Sequence, residues 1–331
     1  MGPVSCLVVF VDLKSAYDTV WKEKLILKLS NYGICSKMLK WFQSFLSTRS
    51  CRVKYGSSFS KNVKLQVGLP QGAVTSCSLF NIYVNDLVKS IKSVEGIHCL
   101  LYADDLVLWH ETPKRNAEKA TEAKLNQALD KIAQWCDDNA LQINLAKTAY
   151  QSFSLAHTTI NPKLKIKEMS ISKTDQYTYL GMTLDNKLTW KAHIDKITTR
   201  ASKRLTILKR LAGSKWGCAR STLNLTYKTF VLPLMIYCCE SIVTASQQTL
   251  KNLILVHNQA LRLITGGTKS TPIDAMLLLT GNSPLDVIIN EKTLLLYEKV
   301  LRIPNENLWS NYKTENHILK HNKVLSKKQY I

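Results

Sequence analysis

A chain of 331 residues, 45% of them hydrophobic, can bury one large core or two ordinary ones, which excludes disorder as its resting state. Its 45 lysines and arginines against 24 aspartates and glutamates leave a formal charge of +21, which favours a polyanionic partner and ranks nucleic acid ahead of an anionic membrane. The longest apolar runs, 230–239 and 99–109, fall well short of the roughly 20 residues of a membrane span, so no membrane partner is expected. Nine cysteines, an odd number without a C-x-x-C pair, argue against a disulfide framework or a zinc ribbon. They are expected to pack in cores, in a reducing intracellular compartment, nucleus or cytoplasm.

In chain order, residues 6–12 form a continuous apolar run closed by Asp12, the pattern of a buried central strand that delivers a carboxylate at its end. The run is short for a signal peptide and is followed at once by Asp12 and Lys14, so a strand is the simpler expectation. Trp21, Leu25, Leu29 and Tyr32 repeat at helical spacing and stop at Gly33, and Met38, Trp41, Phe42, Phe45 and Leu46 mark a second helix. Residues 52–67 alternate weakly in short strand-like runs around Gly56, before Gly68-Leu69-Pro70-Gln71-Gly72 breaks the pattern as a loop. An apolar helix is expected over 78–88. Two β-prone runs, 98–101 and 106–109, are joined through Tyr102-Ala103-Asp104-Asp105, which places both carboxylates at or near a hairpin tip.

After Pro113 a long helix shows Leu125, Leu129, Ile132 and Cys136 on one face, with Lys114, Arg115, Glu118, Lys119 and Lys124 solvated. Strands are expected over 141–145, 150–155 and 177–184, so the first part is α+β and not doubly wound. From Trp190 the character changes. Ile194, Ile197, Ala201, Leu205, Leu208 and Leu211 line one side of a helix whose other side bears Lys196, Arg200, Lys203, Arg204, Lys209 and Arg210. Helices continue over 220–265 to Gly266-Gly267, followed by a helix-prone tail with a lysine-rich end over 320–328.

Asp12, Asp104 and Asp105 have no basic neighbour in sequence, and clustered carboxylates repel unless a cation neutralises them. A hard divalent ion accepts such oxygens and keeps positions open for phosphates, and two such ions suit in-line phosphoryl transfer. An ordinary polar turn at Asp104-Asp105, with Asp12 capping a helix that starts near Ser15, is an equal alternative on spacing alone.

The segments Phe10-Val11-Asp12-Leu13-Lys14-Ser15-Ala16-Tyr17-Asp18, Gly68-Leu69-Pro70-Gln71-Gly72 and Tyr102-Ala103-Asp104-Asp105 resemble, in order and spacing, motifs A, B and C of reverse transcriptases. Leu141-Gln142-Ile143-Asn144 with Lys147 resembles motif D, and Tyr179-Leu180-Gly181 with Asp185 the primer-grip motif E, of the jockey-like non-LTR retrotransposon enzymes. The resemblance covers about 7–267. It implies a right-hand polymerase palm, an antiparallel sheet covered by helices, over 1–187. It implies a helical thumb over 188–267, which leaves 268–331 as an extension of unknown role.

By that resemblance, Asp12, Asp104 and Asp105 are metal ligands for Mg²⁺, with Mn²⁺ as a substitute. Lys147 is a general acid toward the leaving pyrophosphate, Tyr17 a steric gate against the 2′-hydroxyl, and Gln71 and Gly72 the floor under the incoming base pair. Leu180 and Gly181 belong to the primer grip. Lys196, Arg200, Lys203 and Arg204 face nucleic acid. The implied partners are an RNA template, a DNA primer and deoxynucleoside triphosphates. Taken alone, Tyr17 is equally a packed aromatic, Lys147 a solvated lysine, 68–72 a turn and the basic helix a solvated face.

The family places fingers before motif A, which only residues 1–6 precede here, so the chain is expected to be a piece of a longer polyprotein, truncated at both ends. The leading expectation is an RNA-directed DNA polymerase domain. A catalytically incompetent nucleic-acid-binding fragment is the alternative. A metal-dependent nuclease would leave motif B and the aromatic gate unexplained.

Overall fold

The computed structural model describes residues 5–112, 117–154, 160–213 and 217–302. The chain divides into two compact units, Met1–Leu188 and Thr189–Ile331. The first is α+β: β1 (Cys6–Val11), α1 (Lys22–Asn31), α2 (Ser36–Ser47), β2 (Ser50–Cys51), β3 (Lys54–Tyr55), β4 (Ser58–Phe59), β5 (Val63–Lys64), α3 (Val74–Lys92), β6 (Ile97–Tyr102), β7 (Asp105–Glu111), α4 (Ala117–Asp138), β8 (Ala149–Phe153), β9 (Lys165–Ile166), β10 (Met169–Ser170), β11 (Ser172–Lys173), β12 (Gln176–Tyr179) and β13 (Met182–Asp185). Pro113, Lys114 and Arg115, expected near the start of α4, and Leu155, expected in β8, lie outside the described residues.

The main sheet runs β11-β8-β1-β7-β6, and β1 sits at its centre because both of its edges are paired, antiparallel to β7 and to β8. Its residues divide by parity, as a strand's must. Leu7, Val9 and Val11 join the core formed with α3 and α4, which holds Phe80, Tyr83, Leu125 and Leu129, whereas Phe10 points to the other face and stacks on Tyr177 with ring centres 4.0 Å apart. Behind the sheet, the buried Lys28 of α1 donates to Tyr83 O of α3 at 2.6 Å and pairs with Asp86 at 2.8 Å, while Trp135 Nε1 of α4 donates to the same carboxylate at 2.9 Å. Three helices are thus joined by one satisfied polar network, so removing either charge would strand the other.

Three sequence expectations need correction. Residues 141–145 are not a strand: only Leu13 and Ile143 form a bridge, because the backbone here bonds the loop after β1 (Lys14 N to Gln142 O and Asn144 N to Asp12 O, both 2.8 Å) instead of a sheet edge. Residues 177–184 are not one strand but the hairpin β12–β13, since Leu180 and Gly181 both take positive φ, 45° and 82°, as a tight type I′ connection requires. The helix expected over 78–88 begins four residues earlier and ends four later. The short strands β9, β10 and β11 carry too few residues for alternation to reveal them.

The second unit is helical: α5 (Lys191–Ala212), α6 (Arg220–Thr226), a π turn over Tyr227–Val231, α7 (Leu232–Met235), α8 (Cys239–Ile242), α9 (Gln247–Thr265), α10 (Ile273–Thr280) and α11 (Leu285–Leu301). The apolar stripe of α5, with Ile194, Ala201, Leu205 and Leu208 buried, packs on α9, whose Leu253, Val256 and Leu261 face inward. The run expected over 220–265 is therefore interrupted. Pro233 cannot donate into the helical ladder, and the turn before it widens to π spacing. Met276 and Leu277 pack with Leu261, so residues expected as an extension share this unit's core. The lysine-rich end over 320–328 lies outside the described residues.

Candidate active site

The antiparallel register of β1 and β7 ends with Val11 opposite Leu106, and one step further sets Asp12 across from Asp105, the first residue of β7. In the hairpin β6–β7 the last pair is Tyr102 with Asp105, leaving Ala103 and Asp104 as a two-residue tip. Ala103 has φ of 53° and Asp104 does not, the pattern of a II′ turn, so Asp104 is the half-buried second residue of the tip and Asp105 the start of the strand. Strand pairing alone therefore gathers the three carboxylates at one end of the central strands. Asp12 caps no helix, because α1 begins only at Lys22.

Backbone bonds hold Asp12 in place: its N–H donates to Thr148 Oγ1 at 3.3 Å and its carbonyl accepts from Asn144 N. The turn that closes the same segment, Lys147 N to Asn144 O at 3.1 Å, brings Lys147 Nζ to 3.9 Å from Asp12 Oδ2. With the lysine side chain 70% exposed and the aspartate 24%, this loose pair is worth no more than about 1 kcal/mol and leaves the ammonium able to turn elsewhere. Burial, then Asp104 and then Asp12, push the Asp105 carboxyl above the usual carboxylate range, with Lys147 pulling the other way. Tyr177 and Tyr179, whose rings lie 4.0 and 5.7 Å from that of Phe10, have phenols raised first by burial and then by carboxylates, Asp12 and Asp105 for Tyr177 and Asp105 for Tyr179.

The donor set is thus oxygen-only and under mutual repulsion, which suits a hard divalent cation. Among the described residues, no three His, Cys, Asp or Glu side chains are gathered closely enough to form a ready-made metal cage. The donors' chemistry fits such an ion. Any coordination by these carboxylates would have to be completed by further oxygens such as water or phosphate.

The loop 68–72 is tied directly to the turn after β1. Gly68 N donates to Val20 O at 2.8 Å and Leu69 N to Tyr17 O at 2.7 Å, while Gln71 Nε2 donates to Asp18 Oδ1 at 2.8 Å. Gly68, at φ +87°, lies so close to this turn that a Cβ would sit 2.6 Å from Asp18 O. Gly72, also at positive φ, faces open space. Tyr17 stacks on Phe80 at 4.3 Å, so its ring is fixed; burial first, then the Cys77 thiol beside it and Asp104, raise its phenol. Tyr17, Gln71 and the acidic tip therefore belong to one neighbourhood.

Leu180 and Gly181 form the tip of β12–β13. That hairpin is anchored by a residue the sequence reading passed over: the fully buried Gln151 Nε2 donates to Asp175 O and Leu184 O, both at 3.1 Å, and to Asn186 Oδ1 at 2.9 Å. A glutamine amid the apolar residues of β8 was the available signal, since a buried polar side chain needs partners. Asp18, whose N–H closes the turn onto Ser15 O at 2.9 Å and whose carboxylate holds Gln71, was given no role of its own by the sequence. In the second unit, Lys196, Arg200 and Lys203 lie on the exposed face of α5, but Arg204 turns back, donating to Phe230 O and lying 4.3 Å over the Phe230 ring. All nine cysteines are free; only Cys99, Cys136 and Cys239 are buried, so packing explains a minority of them.

A profile described as reverse transcriptase (RNA-dependent DNA polymerase) matches residues 3–184, more than half the chain and nearly all of the first unit. The chain belongs to the reverse transcriptase family. It is 27% identical over 273 residues to the probable RNA-directed DNA polymerase from transposon BS of Drosophila melanogaster, covering 78% of this chain and 29% of that protein. It is 26% identical over 262 residues to the RNA-directed DNA polymerase from mobile element jockey of Drosophila funebris, covering 78% of this chain and 28% of that protein. The chain thus spans under a third of the length of these relatives. Among solved structures, a telomerase from Candida tropicalis is similar at 13% identity with a TM-score of 0.42, covering 97% of this chain and 49% of that one. The jockey-type resemblance of the motifs is accordingly matched by relatives across most of the chain. No helix among the described residues is long and apolar enough to cross a membrane.

Proposed function

We propose that this chain is the palm and thumb of a non-LTR retrotransposon reverse transcriptase, which adds deoxynucleotides to a DNA primer on an RNA template. The first unit is the palm and the α-helical second unit the thumb. The observation that carries the reading is the convergence of Asp12 and Asp105 at facing strand positions with Asp104 at the adjoining tip. Carboxylates under mutual repulsion are kept by a fold when their charge is used, and a divalent cation bound to Asp12, Asp104 and Asp105 is the use their oxygens fit. Mg²⁺, or Mn²⁺ in its place, would neutralise triphosphate charge and lower the pKa of the primer hydroxyl.

The chain's own side chains supply the rest. Tyr17, immobilised on Phe80, presents a ring edge to the sugar and excludes a 2′-hydroxyl. Gln71, oriented by Asp18, and the open backbone at Gly72 form the floor under the nascent pair. Lys147, loosely held by Asp12, delivers a proton to the leaving pyrophosphate. The hairpin tip at Leu180 and Gly181 carries the primer end. Lys196, Arg200 and Lys203 contact phosphates, whereas Arg204 holds the thumb's own π turn. Exposed free thiols at Cys35, Cys51 and Cys77 suit work inside the cell, in nucleus or cytoplasm.

A second reading, a fragment that binds nucleic acid without synthesis, is favoured by the lack of a ready-made three-residue cage among the described residues. Primer extension on an RNA template with Mg²⁺ and deoxynucleotides separates the two. The polymerase reading expects extension by the wild-type chain and none by Asp104→Asn, with hybrid binding equal in both. Absence of extension by either, with tight and salt-sensitive binding by both, establishes the fragment.

A further inference from the structure

The ribbon between α2 and the loop 68–72 has no role in the site just described. It starts with an unusual sequence feature: between Glu23 and Asp86 there is no acidic residue at all, although lysines and arginines recur from Lys24 to Lys64. Lys28 is consumed by its ion pair with Asp86, but the basic groups of the ribbon have no ion pair among the described residues. Backbone pairing runs from Arg49 to Leu65: β2 pairs with β5, β3 with β4, and Leu65 N and Ser60 N donate to Arg49 O and Val53 O at 2.9 Å. The tip is Gly56 and Ser57.

Strand parity decides what each face shows. Lys54 is directly opposite Phe59, and Arg52, two residues back on the same face, lies 4.0 Å over the Phe59 ring, with Lys54 Nζ 5.5 Å from it. Phe59 is 50% exposed, whereas Tyr55, 88% exposed beside the tip, pairs with Ser58 on the opposite face. At the base of the ribbon Arg49 lies 5.9 Å over Phe45, itself stacked on the exposed Trp41. A solvated ribbon with no partner would not gain from exposed aromatic rings, and a ribbon built for packing would not surround them with uncompensated cations. Cations alternating with exposed flat rings are what an unpaired polynucleotide uses, its phosphates meeting the charges and its bases the rings. A duplex, whose bases are already stacked, has no use for the rings.

We propose that the face of the β2–β5 ribbon bearing Arg52, Lys54 and Phe59 is a binding surface for single-stranded nucleic acid, with Phe59 as a base-stacking platform and Arg52 and Lys54 as phosphate contacts. It stands on the ribbon's own charge and exposure, and it deepens the polymerase reading by giving unpaired template a place on the protein away from the carboxylates.

The test measures binding of the full chain to a short single-stranded RNA, its DNA counterpart, a blunt RNA–DNA duplex and phosphatidylserine vesicles by fluorescence anisotropy and sedimentation. Phe59→Ala is expected to weaken single-strand binding about 10-fold or more while duplex binding holds, and Phe59→Trp to retain it. Arg52→Gln with Lys54→Gln is expected to lower the slope of log affinity against log salt by about 1.4, the loss of two phosphate contacts on a single strand. Equal binding of wild type and variants, an equal loss on the duplex, or preference of the wild type for vesicles each overturns the proposal. Primer extension run alongside keeps the two claims apart. Ribbon-dependent single-strand binding by a chain that cannot extend sustains this surface and removes the polymerase, and extension with indifferent ribbon variants does the reverse.

Discussion

Replacing Gly68 by alanine should do more damage than its small volume suggests. The added Cβ would lie 2.6 Å from Asp18 O, 2.9 Å from Asp18 C and 3.0 Å from Asp18 Cα, and all three are backbone atoms that no rotamer change can move. The residue also holds φ of +87°, which costs an L-residue about 1–2 kcal/mol. Relieving the clash means parting the loop from the turn, which breaks Gly68 N to Val20 O and Leu69 N to Tyr17 O, at about 0.5–1.5 kcal/mol each. The total is about 2–5 kcal/mol. Gly72→Ala is the control, because at φ +86° it carries the same conformational cost with nothing within 4 Å to strike. Denaturant-dependent hydrogen exchange of the full chain, followed on peptides from β1 and α3, should show Gly68→Ala costing about 1–3 kcal/mol more than Gly72→Ala. Equal losses in the two variants would refute the claim that the Asp18 contact, and not positive φ, makes Gly68 irreplaceable.

Gln151→Ala should leave the acceptors on Asp175, Leu184 and Asn186 without their donor and loosen the β12–β13 hairpin by about 2–4 kcal/mol, seen as faster hydrogen exchange over 176–185 while β1 and β7 stay protected; unchanged exchange there would remove Gln151 as the anchor. In the second unit, burial lowers His257 to about 4 from an ordinary 6.5, with Nδ1 bonded to the Tyr227 hydroxyl. The neutral ring is the folded form, so its stabilisation is complete above pH 6.5 and is lost as pH falls from 6.5 toward 4, because the unfolded chain takes the proton first. Exchange on α9 peptides should speed up over that interval by up to about 3 kcal/mol of opening free energy, and a flat profile would contradict the burial of an uncharged ring.

What the sequence disclosed follows from where the signals are strong. Six apolar residues leading into Asp12, and two β-prone runs around Tyr102-Ala103-Asp104-Asp105, point to three carboxylates at or near strand ends, and the β1–β7 register sets Asp12 against Asp105. The amphipathic period of α5 was equally plain. Failures came where the physics is non-local. Residues 141–145 look like a strand by composition but spend their backbone bonds on the loop after β1, and nothing near them in sequence reveals that. The positive φ of Leu180, a branched residue that resists the left-handed region, hid a hairpin inside one apparent strand. Arg204 counted as a surface cation until Phe230 appeared beside it, 26 residues away. The pairing of Lys147 with Asp12 is likewise a product of chain crossing, at a separation no local pattern encodes.

The central claim is that Asp12 and Asp105 work as one catalytic unit, and a double-mutant cycle tests it. Single-nucleotide addition to a DNA primer on an RNA template would be timed for wild type, Asp12→Asn, Asp105→Asn and the double variant, with hybrid binding measured for all four. If the carboxylates act together, each single change should slow addition by at least about 10³-fold, and the double variant should be no slower than the worse single, with binding preserved throughout. Losses that multiply in the double variant, or addition at the wild-type rate in either single, would contradict the account.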